Sequence, residues 1–169
     1  MNYSIFSITS LNLKSSQINS ICNLKDQEWK LGKISQNDWF RKNIKKNDIH
    51  NLLYINTKLI GYTSLRKKLC KIKNKKKKIQ YLLFDTLIID KKFKGKKLSN
   101  LLMTFNNEII KQSCFFSFLI CKNRHVNFYK KNKWIKINNK NINFLEHTVF
   151  KNGMIFNKTN ANKHKYYFF

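Results

Sequence analysis

A run of lysines around one glycine, Lys91-Lys92-Phe93-Lys94-Gly95-Lys96-Lys97, stands between the most apolar stretch of the chain and an amphipathic one. Ile79 to Asp90 reads as a strand covered on both faces, because Tyr81, Leu82, Leu83, Phe84, Leu87, Ile88 and Ile89 are almost contiguous. Leu98 to Gln112 places Leu98, Leu101, Leu102, Phe105 and Ile109 at core spacing and predicts a helix. A helix N-terminus offers unpaired backbone N–H groups and a partial positive charge, which suit phosphate. In a chain this basic the turn alone is ordinary. Asp85 interrupts the strand; by itself it reads as a carboxylate held by backbone or lysine. Cys22, Cys70, Cys114 and Cys121 contain no CxxC pair, and His50, His147 and His164 are scattered, so no metal site is expected.

The elements that must position this turn follow from periodicity. Tyr3 to Leu13 alternates loosely and predicts a first strand. Ser15 and Ser16 are expected to cap a helix running through Lys25, and Ser35 to Asp38 has capping-box spacing ahead of a second helix with Trp39, Phe40 and Ile44. Asn51 to Ile55 and Leu59 to Leu65, joined by Asn56-Thr57-Lys58, predict a hairpin. Arg66 to Lys78 is nearly all lysine and reads as a solvated loop. Beyond the long helix come a buried strand from Phe115 to Cys121, a short helix from Asn123 to Asn132, and strands at Trp134 to Ile137 and Phe144 to Val149. The order predicts a mixed α/β single domain over residues 1–150, with 151–169 as a C-terminal tail ending in four aromatics. Trp29, Trp39 and Trp134 read as core or as pocket walls, and Cys121 as apolar filler.

The 169 residues carry 35 Lys and Arg against 8 Asp and Glu, a net charge of +27. Only Arg41, Arg66 and Arg124 are arginines, whereas specific nucleic-acid readers favour Arg for bidentate contacts. Spread lysine together with abundant Asn and Ile reads first as compositional bias. Its consequence is non-specific nucleic-acid binding at low salt. No signal peptide or membrane span is evident, and reduced thiols fit a cytoplasmic protein.

The second half of the chain adds a resemblance. Phe93-Lys94-Gly95-Lys96-Lys97-Leu98-Ser99 resembles the phosphate-binding turn of the GNAT family of acyl-CoA-dependent N-acetyltransferases. Asn123, and Phe128-Tyr129 followed by Lys133-Trp134, resemble that family's later strand end and its Phe-Tyr-x-x-x-Gly-Phe helix. Ile60-Gly61 matches an apolar-Gly pair upstream. Lys97 stands where the family has its second glycine, and Lys133 and Trp134 stand for its Gly-Phe pair.

The resemblance implies a mostly antiparallel central sheet flanked by helices, with acetyl-CoA as co-substrate and no metal. Lys94, Gly95, Lys96, Lys97, Leu98 and Ser99 would bind the CoA pyrophosphate through backbone N–H groups. The edge of Leu87, Ile88 and Ile89 would pair with the pantetheine arm, the N–H groups near Leu87 would polarise the thioester carbonyl, and Asn123 would contact the cofactor. Tyr129 would protonate the departing thiolate and Asp85 would be the base. The acceptor would be a primary amine of a small molecule, an amino sugar among them, or of a protein; with so few acidic residues a polycationic acceptor fits poorly. Asp26 and Glu28 are candidates to line the acceptor site, and His125 a candidate relay. No membrane partner is expected, nucleic acid is bound only non-specifically, and the chain is read as a monomer or homodimer. The competing readings are a basic nucleic-acid-binding domain and a catalytically inactive domain of the same fold.

Overall fold

The computed structural model describes residues 2–144 and 152–168. Its elements are β1 (Tyr3–Thr9), α1 (Ser15–Trp29), α2 (Lys33–Asn43), β2 (Ile49–Ile55), β3 (Lys58–Ile72), β4 (Ile79–Ile89), α3 (Leu98–Gln112), β5 (Ser117–Cys121), α4 (Val126–Lys131), β6 (Ile135–Lys136), β7 (Ile142–Phe144), β8 (Asn152–Phe156) and β9 (Tyr166–Phe168). Strand order in the mixed, mostly antiparallel sheet is β1-β2-β3-β4-β5-β8-β6, with β9 paired to β3 and to β7. Only β4–β5 and β7–β9 pair in parallel among the registered pairs. Of the strand expected at Phe144 to Val149, residues 145–149 lie outside the described residues. Among the described residues no helix is long and apolar enough to cross a membrane.

Local chemistry moves several boundaries. α1 is flanked by Lys14, whose N–H donates to Gln17 Oε1 at 2.9 Å, so Gln17 caps where serine was expected. α2 starts at Lys33, ahead of Ser35; Gly32 precedes it at φ +83°, and the Gly32 N–H donates to Asp26 Oδ1 at 2.7 Å. The expected lysine loop is largely strand: β3 runs on to Ile72 because Cys70 and Ile72 are buried while Lys71 points out.

The chain divides into two compact units, Met1–Arg66 with Asp85–Asn106, and Lys67–Phe84 with Asn107–Phe169. In the first unit β1, β2 and the start of β3 pair antiparallel, Tyr3↔Ile55 through Thr9↔Ile49 and Ile49↔Leu65 through Ile55↔Lys58. Alternation sends Leu52, Tyr62 and Ile88 to one face, where Ile21, Cys22 and Leu24 of α1 and Phe40 of α2 cover them. Leu53 goes to the other face, and the register shift opposite Leu53 and Tyr54 sends Ile60 there too, against Leu98 and Leu102 of α3.

Inside this unit His50 is fully buried. Its Nε2 is 2.8 Å from Ser10 Oγ and its Nδ1 is 2.7 Å from Tyr62 Oη, while its ring stacks on Phe40 and Tyr62. A neutral ring supplies one donor and one acceptor and satisfies both neighbours. Burial, aided by the charge of Lys25, pushes its pKa from 6.5 down to about 4.

The second unit is built on aromatics. Phe168 stacks on Phe118 with centroids 3.9 Å apart and meets Tyr81 edge-on at 5.1 Å. β9 pairs with β3, Cys70↔Phe168 to Ile72↔Tyr166, and the Lys73 N–H to Lys165 O bond extends the ladder. β8 lies between β5 and β6. The segment after Lys151 therefore supplies two strands of the sheet.

Two outcomes follow from these cores. Phe168→Ala removes a 5 %-exposed ring and lowers stability by about 3–5 kcal/mol in urea denaturation. The unfolded chain binds the His50 proton near pH 6.5 and the folded one only near pH 4, so stability is intact above that window and falls as pH drops through it. Unfolding at pH 5 should show a loss of about 2 kcal/mol relative to pH 7.5, absent in His50→Gln.

Candidate functional site

In the first unit β4 ends in a tied knot. The Asp90 N–H donates to Ile60 O at 2.7 Å; its carboxylate accepts from the Lys92 N–H at 2.9 Å and pairs with Lys58 Nζ at 3.0 Å. Burial raises the Asp90 pKa, but the Lys92 hydrogen bond and Lys58 outweigh it and hold the carboxyl below its ordinary value. A 3₁₀ turn, Lys91–Phe93, leads to Gly95 at φ +84° and Lys97 at φ +57°. The Lys97 carbonyl accepts from Asn100 at 3.0 Å and Leu101 at 3.3 Å, which opens α3. Among the described residues, no acceptor pairs with the N–H groups of Gly95, Lys96, Lys97, Leu98 or Ser99. Consecutive unpaired N–H groups around left-handed residues form an anion-binding concavity. The concavity is backbone, so the lysine at the second glycine position leaves it in place. The lysines themselves are occupied: Lys94 pairs with Glu28 at 3.3 Å, and Lys96 lies 5.4 Å from the Phe93 ring centre. The Lys94–Glu28 pair is half-exposed and weak.

The second half of β4 borders this turn. Leu87 and Ile89 pack with Leu98 of α3, whereas Ile88 faces α1 and α2. Gly61 makes room for this strand, since a Cβ there would lie 2.9 Å from Ile89 Cδ1. Asp85, three residues before Ile88, also meets the α1–α2 layer, so strict alternation slips between them. Its Oδ2 pairs with Arg66 Nη1 at 3.2 Å, and Arg66 Nη2 donates to Asn43 O at 2.9 Å. The Arg66 guanidinium is 5.5 Å from the Trp39 ring centre, and Lys25 Nζ is 3.4 Å from it and 5.8 Å from that of Trp29.

Lys25 is 5 % exposed, and burial pushes its pKa down to about 8 against the pull of Asp85. A cation–π contact contributes about 0.5–2 kcal/mol, less than the several kcal/mol needed to desolvate an ammonium. Arg66 Nε and Gln36 Nε2 are buried with no hydrogen-bond partner among the described residues. The sequence reading missed Lys25 and Arg66. Arg66 looked like the first residue of a lysine loop; one of only three arginines, at a strand position, was the available signal. Of the other candidates, Asp26 caps Gly32, Glu28 holds Lys94, and His125 Nε2 accepts from Arg124 Nε at 3.2 Å.

In the second unit, Tyr129 and Trp134 are joined by the end of α4. Lys133 sits at φ +67°, its N–H donates to Lys130 O at 2.9 Å, and the Trp134 N–H donates to Tyr129 O at 3.0 Å. These are the two bonds of a Schellman cap, which explains why a glycine and then an apolar residue suit this spacing. Trp134 is 2 % exposed, stacks on Phe156 and donates from Nε1 to Asn107 Oδ1 at 3.0 Å. Tyr129 is half-buried, with Phe84 edge-on at 6.3 Å. Burial, aided by Cys121, raises its pKa well above the usual phenol value, so it keeps its proton at neutral pH. Asn123 Oδ1 accepts from Asn152 Nδ2 at 2.6 Å, which also donates to Cys121 O, tying the end of β5 to the start of β8.

Lys133→Gly relieves about 1–2 kcal/mol of left-handed strain and adds about 0.4–1 kcal/mol of unfolded-state entropy. The expected net is a gain of about 0.5–1 kcal/mol in chemical denaturation, with the fold unchanged.

No family model matches the chain, and no curated protein matches it by sequence. Solved structures match it by shape. ElaA of Escherichia coli is 16% identical with a TM-score of 0.68, over 91% of this chain and 99% of that one. An acyl-CoA N-acyltransferase from Pseudomonas aeruginosa is 10% identical with a TM-score of 0.67, over 91% and 99%. The PaiA N-acetyltransferase of Thermoplasma acidophilum, solved in complex with coenzyme A, is 17% identical with a TM-score of 0.56, over 92% and 98%. The chain has the fold of the GNAT N-acetyltransferases.

Proposed function

We propose that this chain transfers an acetyl group from acetyl-CoA to a primary amine. The observation that carries the reading is the run of unpaired N–H groups from Gly95 to Ser99 at the start of α3. It is chemistry suited to a pyrophosphate. The fold shared with acyltransferases, one of them solved with coenzyme A, supports the choice of that ligand. Leu87, Ile88 and Ile89 form the last strand segment of the first unit's sheet and would hydrogen-bond the pantetheine amides as an added strand would.

The reaction is a direct displacement. The ammonium of the acceptor loses a proton to Asp85 or to a water beside it. The amine nitrogen attacks the thioester carbonyl, whose oxygen takes the charge and is met by N–H groups near Leu87. The C–S bond then breaks: the thiolate takes a proton, for which Tyr129 is the donor, and the second proton of the attacking nitrogen returns to the tyrosinate through water, leaving the neutral amide. Asn123 is assigned a cofactor contact on the resemblance alone, since its carboxamide oxygen is already engaged by Asn152. The acceptor is read as an amine of a small molecule, amino sugars included, or of a protein. The protein acts in the cytoplasm, as a monomer or homodimer.

The net charge of +27 keeps a nucleic-acid-binding reading in play. Calorimetric titration separates the two. Acetyl-CoA should bind saturably and retain its affinity at high salt, while ATP and a short RNA lose theirs. Equal, salt-abolished binding of all three would overturn the acetyl-transfer reading. Tyr129→Phe should lower kcat about 100-fold with the acetyl-CoA affinity within twofold of wild type. An unchanged rate removes Tyr129 from the mechanism.

A further inference from the structure

Apart from the anion-binding turn, the first unit holds one other charged locus that is chemically unfinished. Lys25 of α1, Trp39 of α2, and Arg66 and Asp85 of the β3–β4 hairpin supply it. Two cations, Lys25 and Arg66, approach the Trp39 ring, and Asp85 is the only carboxylate paired with either among the described residues. Asp85 neutralises Arg66, leaving one positive charge over. Lys25 has no salt-bridge partner among the described residues. Arg66 Nε, in a residue 8 % exposed, is a buried donor without an acceptor among the described residues. Buried donors of a folded protein nearly all find partners. Here donors are in surplus and acceptors are short. Burial of the Lys25 ammonium without a counter-ion is in keeping with its lowered pKa.

We infer that Lys25 and Arg66, beside Trp39, receive an anionic oxygen group of the amine acceptor. The acceptor class is then an amine that also bears a carboxylate or a phosphoryl group. This rests on the acetyl-transfer reading for the word acceptor, but the anion site itself does not. An anion there accepts from Lys25 Nζ and the free Arg66 Nε and balances the spare charge. The indole of Trp39 gives such an acceptor an apolar wall.

The test uses the full-length protein without coenzyme and matched probes that differ only in the anionic group. The pairs are β-alanine against β-alaninamide, and O-phosphoethanolamine against ethanolamine. The readout is the Lys25 Cε resonance in ¹³C-lysine-labelled protein, assigned by its loss in Lys25→Met. One member of an anionic pair should shift that resonance saturably, at least tenfold more tightly than its neutral counterpart. Lys76→Met, which removes an exposed lysine, should leave that affinity unchanged. Arg66→Lys, which keeps the charge and loses the fork, should weaken it. A response to β-alanine alone assigns a carboxylate, and a response to O-phosphoethanolamine alone assigns a phosphoryl group. No shift with any probe, or equal shifts within each pair, overturns the inference. Acetyl-CoA titration is independent of this readout, so a failure of the anion site is distinguishable from a failure of the acetyl-transfer reading.

Discussion

Several helix ends and turns of this chain require left-handed backbone, and glycine rarely does the turning. The sequence has four glycines and no proline. Lys30, Asn56, Asn74, Lys97, Cys114, Lys133, Asn157 and Asn160 all adopt positive φ. Asparagine tolerates this region through its short polar side chain, and lysine does so at a cost of about 1–2 kcal/mol. Two of the lysines shape the backbone of the proposed site. Lys97 opens α3 and sets out the row of free N–H groups, and Lys133 closes α4 and links the Tyr129 carbonyl to Trp134. At both positions the backbone conformation, rather than the residue type, is what the local hydrogen bonds require.

The first unit buries an unusual amount of polar chemistry for its size. His50 is accommodated because Ser10 and Tyr62 give its neutral ring one partner on each nitrogen. Asn51, Thr63 and Asn106 form a second, uncharged hydrogen-bonded set across β2, β3 and α3, in which Asn51 Oδ1 and Asn106 Nδ2 stay without a partner among the described residues. Both sets sit under helices and sheet with their hydrogen bonds directed inward, which specifies one packing of these elements over others. The Lys25–Arg66–Asp85 group differs, because its donors exceed its acceptors. What sets it apart is a buried spare charge beside a carboxylate, which the proposed anion would balance.

How much of this was legible in the sequence depended on the source of each feature. α3 was legible to the residue, because its apolar period is uninterrupted and its beginning follows a glycine turn. β4 was legible in position, yet continuous hydrophobicity hid the slip that brings Asp85 to the α1–α2 layer. β3 was cut short because lysines masked the alternation of Cys70 and Ile72, whose partner β9 lies about a hundred residues downstream. Long-range pairing of that kind has no local signal. The aromatic tail was readable as apolar but not as a strand, for the same reason. Within the candidate site, the basic turn before α3 could be named from the residues, whereas Tyr129 and Asn123 were named only through the family resemblance. The roles of Arg66 and Lys25 could not, since only the folded hairpin and helices bring them to Trp39.

The charge of the chain and the charge of its sites act over different distances. Exposed lysines such as those of residues 75–78 are solvated, and at physiological salt their field decays within about 8 Å. They raise the local concentration of any polyanion without choosing among them. The free N–H groups before α3 and the buried pair Lys25 and Arg66 are set in the fold and lie close to what they would bind. Their interactions are short, directional and weakly screened. A basic composition can therefore coexist with a selective anion chemistry. At the proposed sites, selectivity would come from fixed backbone donors and two buried side chains, while the many surface lysines add attraction without adding discrimination.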